Sequence, residues 1–272
     1  MSTALGNGNG NGNGNGGGDS SSSSGSGGGL RVSIIVPVLD EAETIQSTLR
    51  RLRADFPGCE LVVVDGGSTD GTAALAAPLA SVLTAPRGRG SQLNAGARHA
   101  SGDVLWFHHA DTAADPTALG QLMAVLADPR VVGGGLRLRF ERRSPGLDYL
   151  AWASNHRARR LGWIFGDQAM FVRRTAFEAV DGFPELPLME DLEISRRLRR
   201  LGRMAVLPAT CTASTRRFQR HGTWAMVLFM QYLKALYLAG RDPAAIHRRY
   251  LAGPPRLTGF LPRRPARGRN PA

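Results

Sequence analysis

Between residues 32 and 107, short runs of apolar, mostly β-branched residues alternate with stretches whose apolar positions recur every three or four residues. The short runs predict buried strands. These strands are expected at 32–38, at 61–64, near 82 and at 104–107. The stretches between them predict helices, and in the first of these Ile45, Leu49 and Leu52 fall on one face. Such alternation is typical of a mainly parallel sheet covered by helices.

After residue 131 the pattern is more mixed. Strand-like runs occur at 136–140 and 169–172, and a helix is predicted through Tyr149 and Trp152. Another helix is predicted from about Glu190, with Ile194, Leu198 and Leu201 on its buried face. We expect this half to extend the same sheet, which makes the fold class α/β, with a Rossmann-like arrangement of a mainly parallel mixed sheet flanked by helices.

Two helix starts are predicted from capping residues. Asp40 begins a segment that resembles a capping box, and Asp115 is followed by a proline that suits the first helical position. The most apolar stretch is 224–239, but Gln231 and Lys234 interrupt it and it is short for a bilayer span. We expect a buried C-terminal helix there; a helix lying on a membrane interface is the alternative.

The ends of the chain differ in composition from its middle. Residues 1–29 are almost entirely Gly, Asn and Ser, and residues 254–272 are rich in Pro and Arg, so we expect both to be disordered tails. The first is not expected to be a signal peptide, because it lacks a basic start and an apolar run. One domain is therefore expected at 30–253.

The 272-residue chain has a net charge of +12, and its positive charge is almost entirely arginine, since Lys234 is the only lysine. We interpret most of these arginines as solvated surface, although a basic surface also suits lipid headgroups, nucleic acid or diphosphates. The two cysteines, Cys59 and Cys211, argue against a disulfide scaffold and a zinc site and fit a reducing compartment. We expect a cytoplasmic protein without a nucleic-acid partner; contact with the inner face of the membrane stays open.

Acidic residues follow three of the predicted strands: Glu41 the first, Asp65 the second and Asp111 the fourth. Ligands of such sheets bind at the carboxyl ends of the strands, so these carboxylates should gather at one rim. Asp65 suits a base or ribose, and Gly67 lets the backbone approach a ligand. Asp111 suits Mg²⁺ or Mn²⁺, with His108 or His109 as a candidate second ligand. Ordinary turns and helix caps are the alternatives.

Three further segments carry candidate charges. Arg89, Gln92 and Asn94 lie in a glycine-containing stretch that suits a nucleotide phosphate or sugar, although it lacks the spacing of a dinucleotide motif. Glu190 and Asp191 open a helix, where the helix dipole favours acids; the chemical alternative is that one of them, Asp191 before Glu190, is a general base.

The third segment holds Arg216 and Arg217 after a short apolar stretch. These guanidinium groups suit the negative charge that develops on a leaving diphosphate. A solvated basic loop is the alternative.

Together these segments resemble the family 2 inverting glycosyltransferases, which have the GT-A fold. The matching segments are 33–41, 64–72, 94–96, 102–111 and 189–193, in order over about 160 residues. A bacterial subgroup that carries His-Ala-Asp-Thr in place of Asp-x-Asp is more similar still. It also resembles this chain at Gly166, Asp167 and Gln168 and around Arg217.

The resemblance implies a direct displacement, with inversion, at the anomeric carbon of a nucleotide sugar. It implies a nucleotide pocket with Pro37, Glu41 and Asp65, a divalent cation (Mg²⁺ or Mn²⁺) at Asp111 and a catalytic base at Asp191. Residues 30–130 would form the nucleotide-binding half. Residues 131–253 would form the acceptor half, with Gly166–Gln168 on the acceptor side.

The function predicted from the sequence is transfer of a single sugar from a UDP- or GDP-linked donor to a hydroxyl of a lipid, small metabolite or glycan. His109 stands where the usual metal pair has its first acid. A processive synthase is not expected, because its Gln-x-x-Arg-Trp segment is missing. Two rivals stay open, a non-catalytic nucleotide-sugar-binding protein and a nucleotidyltransferase that makes sugar nucleotides.

Overall fold

The computed structural model describes residues 29–215, 218–219 and 222–254. Within these ranges eight strands form one sheet. The strands are β1 (Val32–Val38), β2 (Glu60–Asp65), β3 (Ser81–Thr84), β4 (Val104–Phe107), β5 (Thr112–Ala114), β6 (Val131–Phe140), β7 (Phe171–Arg173) and β8 (Arg203–Ala213). The helices are α1 (Ile45–Asp55), α2 (Thr72–Ala76), α3 (Arg89–His99), α4 (Ala118–Val125), α5 (Pro145–Leu161), α6 (Arg174–Ala179), α7 (Glu190–Leu201), α8 (Thr223–Leu238) and α9 (Pro243–Ala252), with a short 3-10 helix at Gly166–Gln168.

The sheet has the strand order β3-β2-β1-β4-β7-β6-β8-β5. Strand β1 pairs in parallel with β2 and β4, β2 with β3, and β6 with β8. Strand β7 is antiparallel to β4 and β6, and β5 is antiparallel to β8. The predicted α/β class with a mixed, mainly parallel sheet is confirmed. Both halves of the chain contribute to this one sheet, as predicted.

The amino-terminal half follows the predicted pattern closely. Strand β1 is buried on both faces because helices cover both sides of a parallel sheet. Helix α1 buries Ile45, Leu49 and Leu52 against it, each at most 1% exposed. On the other face α3 packs closely, because Gly96 leaves no room for a side chain beside Ile35. This close packing brings the amino terminus of α3, with Arg89, to the carboxyl ends of the strands.

The predicted helix starts are wrong in detail. Helix α1 begins at Ile45, and Asp40 lies before it in a left-handed conformation (φ 52°). The Asp40 carboxylate accepts the backbone N–H of Thr69 at 2.9 Å, so it supports the loop after β2 instead of a helix. Asp115 accepts the N–H of Thr117 at 2.9 Å, and α4 starts only at Ala118, which leaves Pro116 outside the helix.

Two boundaries in the second half also differ from the prediction. Leu201 is 49% exposed, because it is the last residue of α7 and extends beyond the covered part of the sheet. The strand expected at 169–172 begins at Phe171, because Ala169 takes a left-handed conformation (φ 46°) directly after the 3-10 helix. The backbone therefore turns at Ala169, beside the segment predicted to face the acceptor.

Helices α8 and α9 form a smaller apolar cluster with the start of α7. Its buried members are Met189, Leu192, Met226, Phe229, Leu233 and Ile246. The other face of α8 is open, since Trp224 and Leu228 are 53% and 66% exposed. The prediction of a buried C-terminal helix therefore holds for one face of α8. In the described ranges no helix combines the length and apolarity needed to cross a bilayer.

Cys59 and Cys211 are free thiols, and burial raises the pKa of Cys211 to about 12 and that of Cys59 to about 11. The predicted disordered tails lie outside the described residues, apart from Gly29 and Pro254. Arg216 and Arg217 lie outside them as well.

Candidate active site

A cavity of about 400 Å³ lies between the loop after β4, the 3-10 helix, the start of α7 and helix α8. Six residues that the sequence predicts for the site line this cavity: Arg89, His109, Asp111, Asp167, Glu190 and Asp191. A narrow recess beside it is lined by Pro37, His108, Gly166 and again by Arg89, Glu190 and Asp191. Residues from both halves of the chain therefore meet in one place.

Asp191 enters this cavity from the first turn of α7. Its Oδ2 accepts the backbone N–H of Gly166 at 3.0 Å, and its Oδ1 accepts the N–H of Leu192 at 2.7 Å. Met189, directly before the helix, is held in a left-handed conformation (φ 71°), which is costly for a residue with a side chain. This backbone turn places the two acids that follow it at the cavity wall.

Glu190 is 4% exposed, and its Oε1 lies 3.3 Å from Nε of Arg89. Burial raises the pKa of Glu190; the positive charge of Arg89 opposes this shift and the negative charge of Asp191 adds to it. The carboxylate is thus held by Arg89 in a place where water is excluded. Asp191 is half-buried and faces the cavity, so it has the better access to a substrate.

Gly166 is required for this arrangement on steric grounds. A methyl group at Gly166 would overlap Nη2 of Arg89 and approach Nε2 of His109 to 2.5 Å. The Arg89 guanidinium also contacts the His109 ring at Nε2. Gly166 therefore allows the Arg89 side chain to pass between the 3-10 helix and Glu190.

Asp167 and Gln168 have different surroundings. Oδ1 of Asp167 is inaccessible to water and accepts no hydrogen bond from the described residues. Burial raises the pKa of Asp167, Arg157 opposes the shift and Asp191 adds to it. Gln168 is fully buried and does not line the cavity. Its amide donates to the carbonyl of Leu136 at 3.3 Å, and its predicted contact with the acceptor stays a prediction.

Two side chains of α3 that are predicted to contact the donor bind backbone groups in the structure, and their donor contacts stay predictions. Gln92 is buried, and its amide nitrogen donates to the carbonyls of Val38 and Val64, both at 2.9 Å. Asn94 exchanges two hydrogen bonds with the backbone of Phe183, at 2.8 and 2.9 Å. Both side chains therefore hydrogen-bond to backbone groups of other segments. They tie strand ends and loops together instead of facing the cavity.

Glu41, Asp65 and Gly67 lie at the carboxyl ends of the adjacent strands β1 and β2, outside the walls of the cavity. Asp65 is 5% exposed, and both of its oxygens accept the N–H of Ser68, at 3.1 and 3.2 Å. Glu41 accepts the hydroxyl of Thr44 at 2.8 Å. Gly67 has φ 92°, a conformation that favours glycine. Pro37, one residue before the end of β1, connects this rim to the recess.

The adjacent histidines His108 and His109 have different surroundings. His108 is completely buried, its Nδ1 lies 2.9 Å from the carbonyl of His109, and burial lowers its pKa to about 4. His109 is half-buried and lines the cavity together with Asp111. Asp111 is exposed, and no described residue donates a hydrogen bond to its carboxylate. Of the two, only His109 shares the cavity with Asp111.

The model of the family described as "Glycosyl transferase family 2" matches residues 33–178. The chain belongs to glycosyl transferase family 2. The match covers β1 to α6 and therefore the strand rim, the loop with Asp111 and the 3-10 helix. Helix α7, with Glu190 and Asp191, lies beyond it.

A curated relative of this family 2 chain is the undecaprenyl-phosphate 4-deoxy-4-formamido-L-arabinose transferase of Sodalis glossinidius. It is 32% identical over 120 residues, which are 39% of this chain and 37% of the relative. The chain spans 31% to 50% of the lengths of the curated relatives it matches. The likeness therefore covers only part of those proteins.

Two solved structures of similar fold have known ligands. The mannosyltransferase of Pyrobaculum calidifontis, in complex with GDP-Man and Mn²⁺, has a TM-score of 0.58 at 23% identity and covers 81% of this chain and 69% of its own. The second is the glucosyl-3-phosphoglycerate synthase of Mycobacterium tuberculosis, in complex with Mn²⁺, UDP and glucosyl-3-phosphoglycerate. It has a TM-score of 0.54 at 19% identity, and the alignment covers 79% of this chain and 81% of the synthase chain. These likenesses confirm the predicted GT-A fold.

The residues of this family 2 chain fit a divalent cation only if a substrate supplies part of the coordination. Among the described residues no group of three or more His, Cys, Asp or Glu side chains is arranged to hold a metal. Asp111 is an exposed carboxylate on the cavity wall, and Mg²⁺ is commonly held by one or two carboxylates together with substrate phosphates. Nε2 of His109 contacts the Arg89 guanidinium, so His109 fits a metal only if Arg89 moves.

Sequence reasoning missed two cations of the cavity, Arg157 on α5 and Lys234 on α8. Arg157 lies in a run of arginines typical of solvated surface, and Lys234 interrupts an apolar helix without a motif around it. The one usable signal was that Lys234 is the chain's single lysine and stands among apolar residues, where a charge is costly unless it has a role.

A second, more open cavity of about 710 Å³ lies against the amino-terminal part of β8. Four exposed arginines line it: Arg159, Arg160, Arg199 and Arg203. None of the predicted site residues borders it, so the smaller cavity at Asp191 is the candidate active site.

Proposed function

We propose that this family 2 glycosyltransferase moves a single sugar, with inversion, from a UDP- or GDP-linked donor to an acceptor hydroxyl. The observation that carries the proposal is that Asp111 and Asp191, from distant parts of the chain, face one cavity together with Arg89. Such a transfer needs three groups. They are a carboxylate with access to the acceptor, a second carboxylate suited to a cation and a guanidinium suited to phosphate.

The nucleotide is assigned to the rim formed by Pro37, Glu41, Asp65 and Gly67. Asp65 is held rigid by Ser68, and the left-handed turn at Gly67 brings backbone N–H groups toward a ligand. This rim lies next to the recess through Pro37, so a nucleotide there can extend its diphosphate toward Arg89 and Asp111. Arg216 and Arg217 are proposed as further contacts to the donor.

Asp191 is proposed to accept the proton of the attacking hydroxyl. Its Oδ2 is oriented by the N–H of Gly166, so the carboxylate is positioned before the acceptor arrives. Glu190 is proposed to position Arg89 by its ion pair. A divalent cation held by Asp111 and the diphosphate would neutralise charge on the leaving group. Inversion, the His-Ala-Asp-Thr subgroup and His109 as a metal ligand rest on the sequence resemblance alone.

We also propose that residues 30–253 form one catalytic domain, with the donor half at 30–130 and the acceptor half at 131–253. The sheet supports this, because β6 and β8 join the same eight strands as β1 to β4. Gly166 and Asp167 lie between the two halves, at the cavity wall.

The proposal is tested with the purified full chain, UDP- and GDP-sugars, and Mn²⁺ or Mg²⁺. We expect metal-dependent hydrolysis of one donor and, with an acceptor, a product whose anomeric configuration is opposite to that of the donor. Tight nucleotide binding without turnover of any donor would favour the non-catalytic rival. Release of pyrophosphate from a nucleoside triphosphate and a sugar 1-phosphate would favour the nucleotidyltransferase.

We propose further that the protein works at an anionic membrane surface and that its acceptor is a lipid. Exposed aromatic side chains of α5 and α8 contact one another: the ring of Tyr149 lies 6.1 Å from that of Trp152 and 6.0 Å from that of Trp224. Trp and Tyr favour the membrane interface. The exposed Arg142 and Arg143 precede α5 and suit anionic headgroups. The relative from Sodalis glossinidius acts, by its name, on undecaprenyl phosphate.

Co-sedimentation with vesicles tests the membrane contact. We expect the chain to bind vesicles that contain phosphatidylglycerol and not pure phosphatidylcholine vesicles, and Trp152→Ala with Trp224→Ala to abolish binding. Leu251→Ala, a change at another exposed apolar residue on α9, is the control for loss of apolar surface alone. If the double variant binds these vesicles as strongly as the wild type does, the aromatic side chains do not contact the membrane and that part of the proposal is wrong.

A further inference from the structure

Lys234 is the chain's only lysine, and it extends from α8 into the cavity of the candidate active site. It is half-buried, and no described residue forms an ion pair or a hydrogen bond with its ammonium group. Desolvation, and secondly the neighbouring charge of Arg157, lower its pKa to about 8, although Asp167 and Asp191 oppose the shift. Burial costs the ammonium group part of its hydration, and the ring of Phe165 and the charges of Asp167 and Asp191 offset only part of that cost.

Arg157 faces the same cavity from α5. Its guanidinium lies 3.6 Å from the ring centroid of Phe165, and the Lys234 ammonium lies 5.6 Å from the same centroid. Hydrogen bonds from Arg157 to the carbonyl of Trp163 at 3.3 Å and to Oε1 of Gln168 at 3.2 Å fix its position. One cation is therefore held by two hydrogen bonds, and the other extends into the cavity on its four-carbon chain.

Two like charges beside one aromatic ring repel each other, and an anion between them would relieve this repulsion. Asp167 and Asp191 also act on the two cations, but neither forms an ion pair with them. A phosphate monoester between the cations supplies two negative charges where a carboxylate supplies one. Apolar side chains, among them Phe140, Leu150, Met226 and Met230, line the same cavity and suit the carbon skeleton of such a ligand.

We propose that Lys234 and Arg157 bind a phosphate group of the acceptor, an inference that deepens the proposed glycosyl transfer and rests on it for the identity of the ligand as acceptor. The donor is assigned to the rim at Asp65 and to Asp111, and its diphosphate is assigned to Arg89. The phosphate at Lys234 would position the acceptor so that its attacking oxygen reaches Asp191. The phosphate can belong to a membrane lipid or to a soluble metabolite.

The single lysine makes a direct test simple. Full-length protein labelled with ¹³C and ¹⁵N in lysine gives one Cε and one Nζ signal, both from Lys234. We expect the signal to titrate near pH 8 without phosphate and to titrate at higher pH when inorganic phosphate replaces chloride at constant ionic strength. An identical titration in phosphate and chloride would overturn the proposal.

A second titration separates acceptor from donor. UDP or GDP with Mg²⁺ is added first to saturation, and inorganic phosphate follows. A further shift of the Lys234 signal on phosphate addition supports a separate acceptor site. If the nucleotide alone moves the signal and phosphate then has no effect, Lys234 belongs to the donor site and the proposal is wrong. Neither experiment needs turnover, so a phosphate effect without any transferase activity would contradict the proposed function and leave the anion site standing.

Kinetics distinguish the two sources of phosphate. Lysophosphatidic acid in detergent micelles is compared with glycerol phosphate, since each carries a phosphate monoester and a free hydroxyl. A higher kcat/KM for one of them identifies the lipid or the soluble source. We expect Lys234→Met to raise the KM for the phosphorylated acceptor about tenfold or more, since a hydrogen bond to a charged group contributes about 1.5–3 kcal/mol. Lys234→Arg should restore most of the acceptor affinity. Arg98→Gln, which removes an exposed charge on α3, is the control. An unchanged KM for both acceptors in Lys234→Met would count against the proposal.

Discussion

Nε of Arg89, the first residue of α3, lies 3.3 Å from Oε1 of Glu190, the first residue of α7. One partner belongs to the amino-terminal half of the sheet and the other to the segment beyond the family match. Glu190 is almost fully buried, whereas the Arg89 side chain is 37% exposed. The pair therefore joins the two halves at the wall of the cavity.

Removal of one partner should cost more than removal of both. We expect Arg89→Met to lower the free energy of unfolding by about 1–3 kcal/mol, since it leaves a buried carboxylate unpaired. Arg89→Met combined with Glu190→Gln should recover much of this loss, because the buried charge is then gone. Urea unfolding of the two single variants and the double variant measures the coupling. If the losses in the free energy of unfolding of the two single variants add up in the double variant, the ion pair is too well solvated to contribute to stability.

The loss in Arg89→Met should also depend on pH. Burial raises the pKa of Glu190 above its ordinary value of 4.5, and loss of Arg89 removes the main opposing effect, so the pKa rises further. A carboxyl with a raised pKa in the folded state stabilises the fold at low pH and loses that contribution as the pH rises through the folded-state pKa. The variant should therefore be closest to the wild type near pH 4.5 and furthest from it at neutral pH. A difference that stays constant between these values would contradict this.

Asp191→Asn should separate binding from turnover. The asparagine keeps an oxygen that can accept the Gly166 N–H but cannot take up a proton, so we expect kcat to fall by about 10²–10⁴-fold. Donor affinity should stay within about twofold, because a general base acts mainly in the transition state. Calorimetric titration of the donor and steady-state kinetics measure the two effects. Asp148→Asn, an exposed acid in the first turn of α5, is the matched control. A large loss of donor affinity with normal turnover at saturation would assign Asp191 to binding.

Asp111→Ala should act through the cation. We expect donor affinity in the presence of Mn²⁺ to fall by at least about 10-fold, the loss that removal of even an outer-shell partner of a metal causes. With EDTA the variant and the wild type should bind the nucleotide equally, because the cation no longer contributes in either protein. Paramagnetic relaxation of water by Mn²⁺ in the presence of UDP or GDP reports the metal itself. Undiminished metal binding in Asp111→Ala would exclude this residue as a ligand.

The strands of the amino-terminal half could be predicted because buried parallel strands are continuous β-branched runs. The start of β6 could not, since Gly133, Gly134 and Gly135 read as a turn. In the structure these glycines lie inside the strand, where side chains would come within 3 Å of the backbone of Phe171, Ala205 and Gln168. Glycine is needed at these positions because the strands and the 3-10 helix pack closely. Such packing between distant segments leaves no pattern in the local sequence.

The candidate site could be predicted only in part for a related reason. Asp111 follows a strand and Asp191 opens a helix, and a sequence pattern can place both elements, so their shared cavity follows from the fold. Gln92 and Gln168 have side chains that suit a ligand, but the structure uses them to satisfy buried carbonyl groups. Lys234 enters the cavity because α8 packs on α7, a contact between helices about 40 residues apart that periodicity does not reveal.

Gly166→Ala should impair activity much more than stability. The added methyl group would overlap Nη2 at the end of the flexible Arg89 side chain, so the guanidinium must turn. It can turn about Nε, which keeps the ion pair with Glu190 and therefore most of the stability of the fold. The guanidinium would then leave the diphosphate side of the cavity, and kcat/KM should fall while the midpoint of thermal unfolding changes little. Gly120→Ala in α4 is the control, because nothing lies within 4 Å of the added group and alanine favours a helix by about 0.5–1 kcal/mol. A Gly166→Ala enzyme with normal kinetics, or one that loses activity only because it unfolds, would show that the position of Arg89 does not limit the reaction.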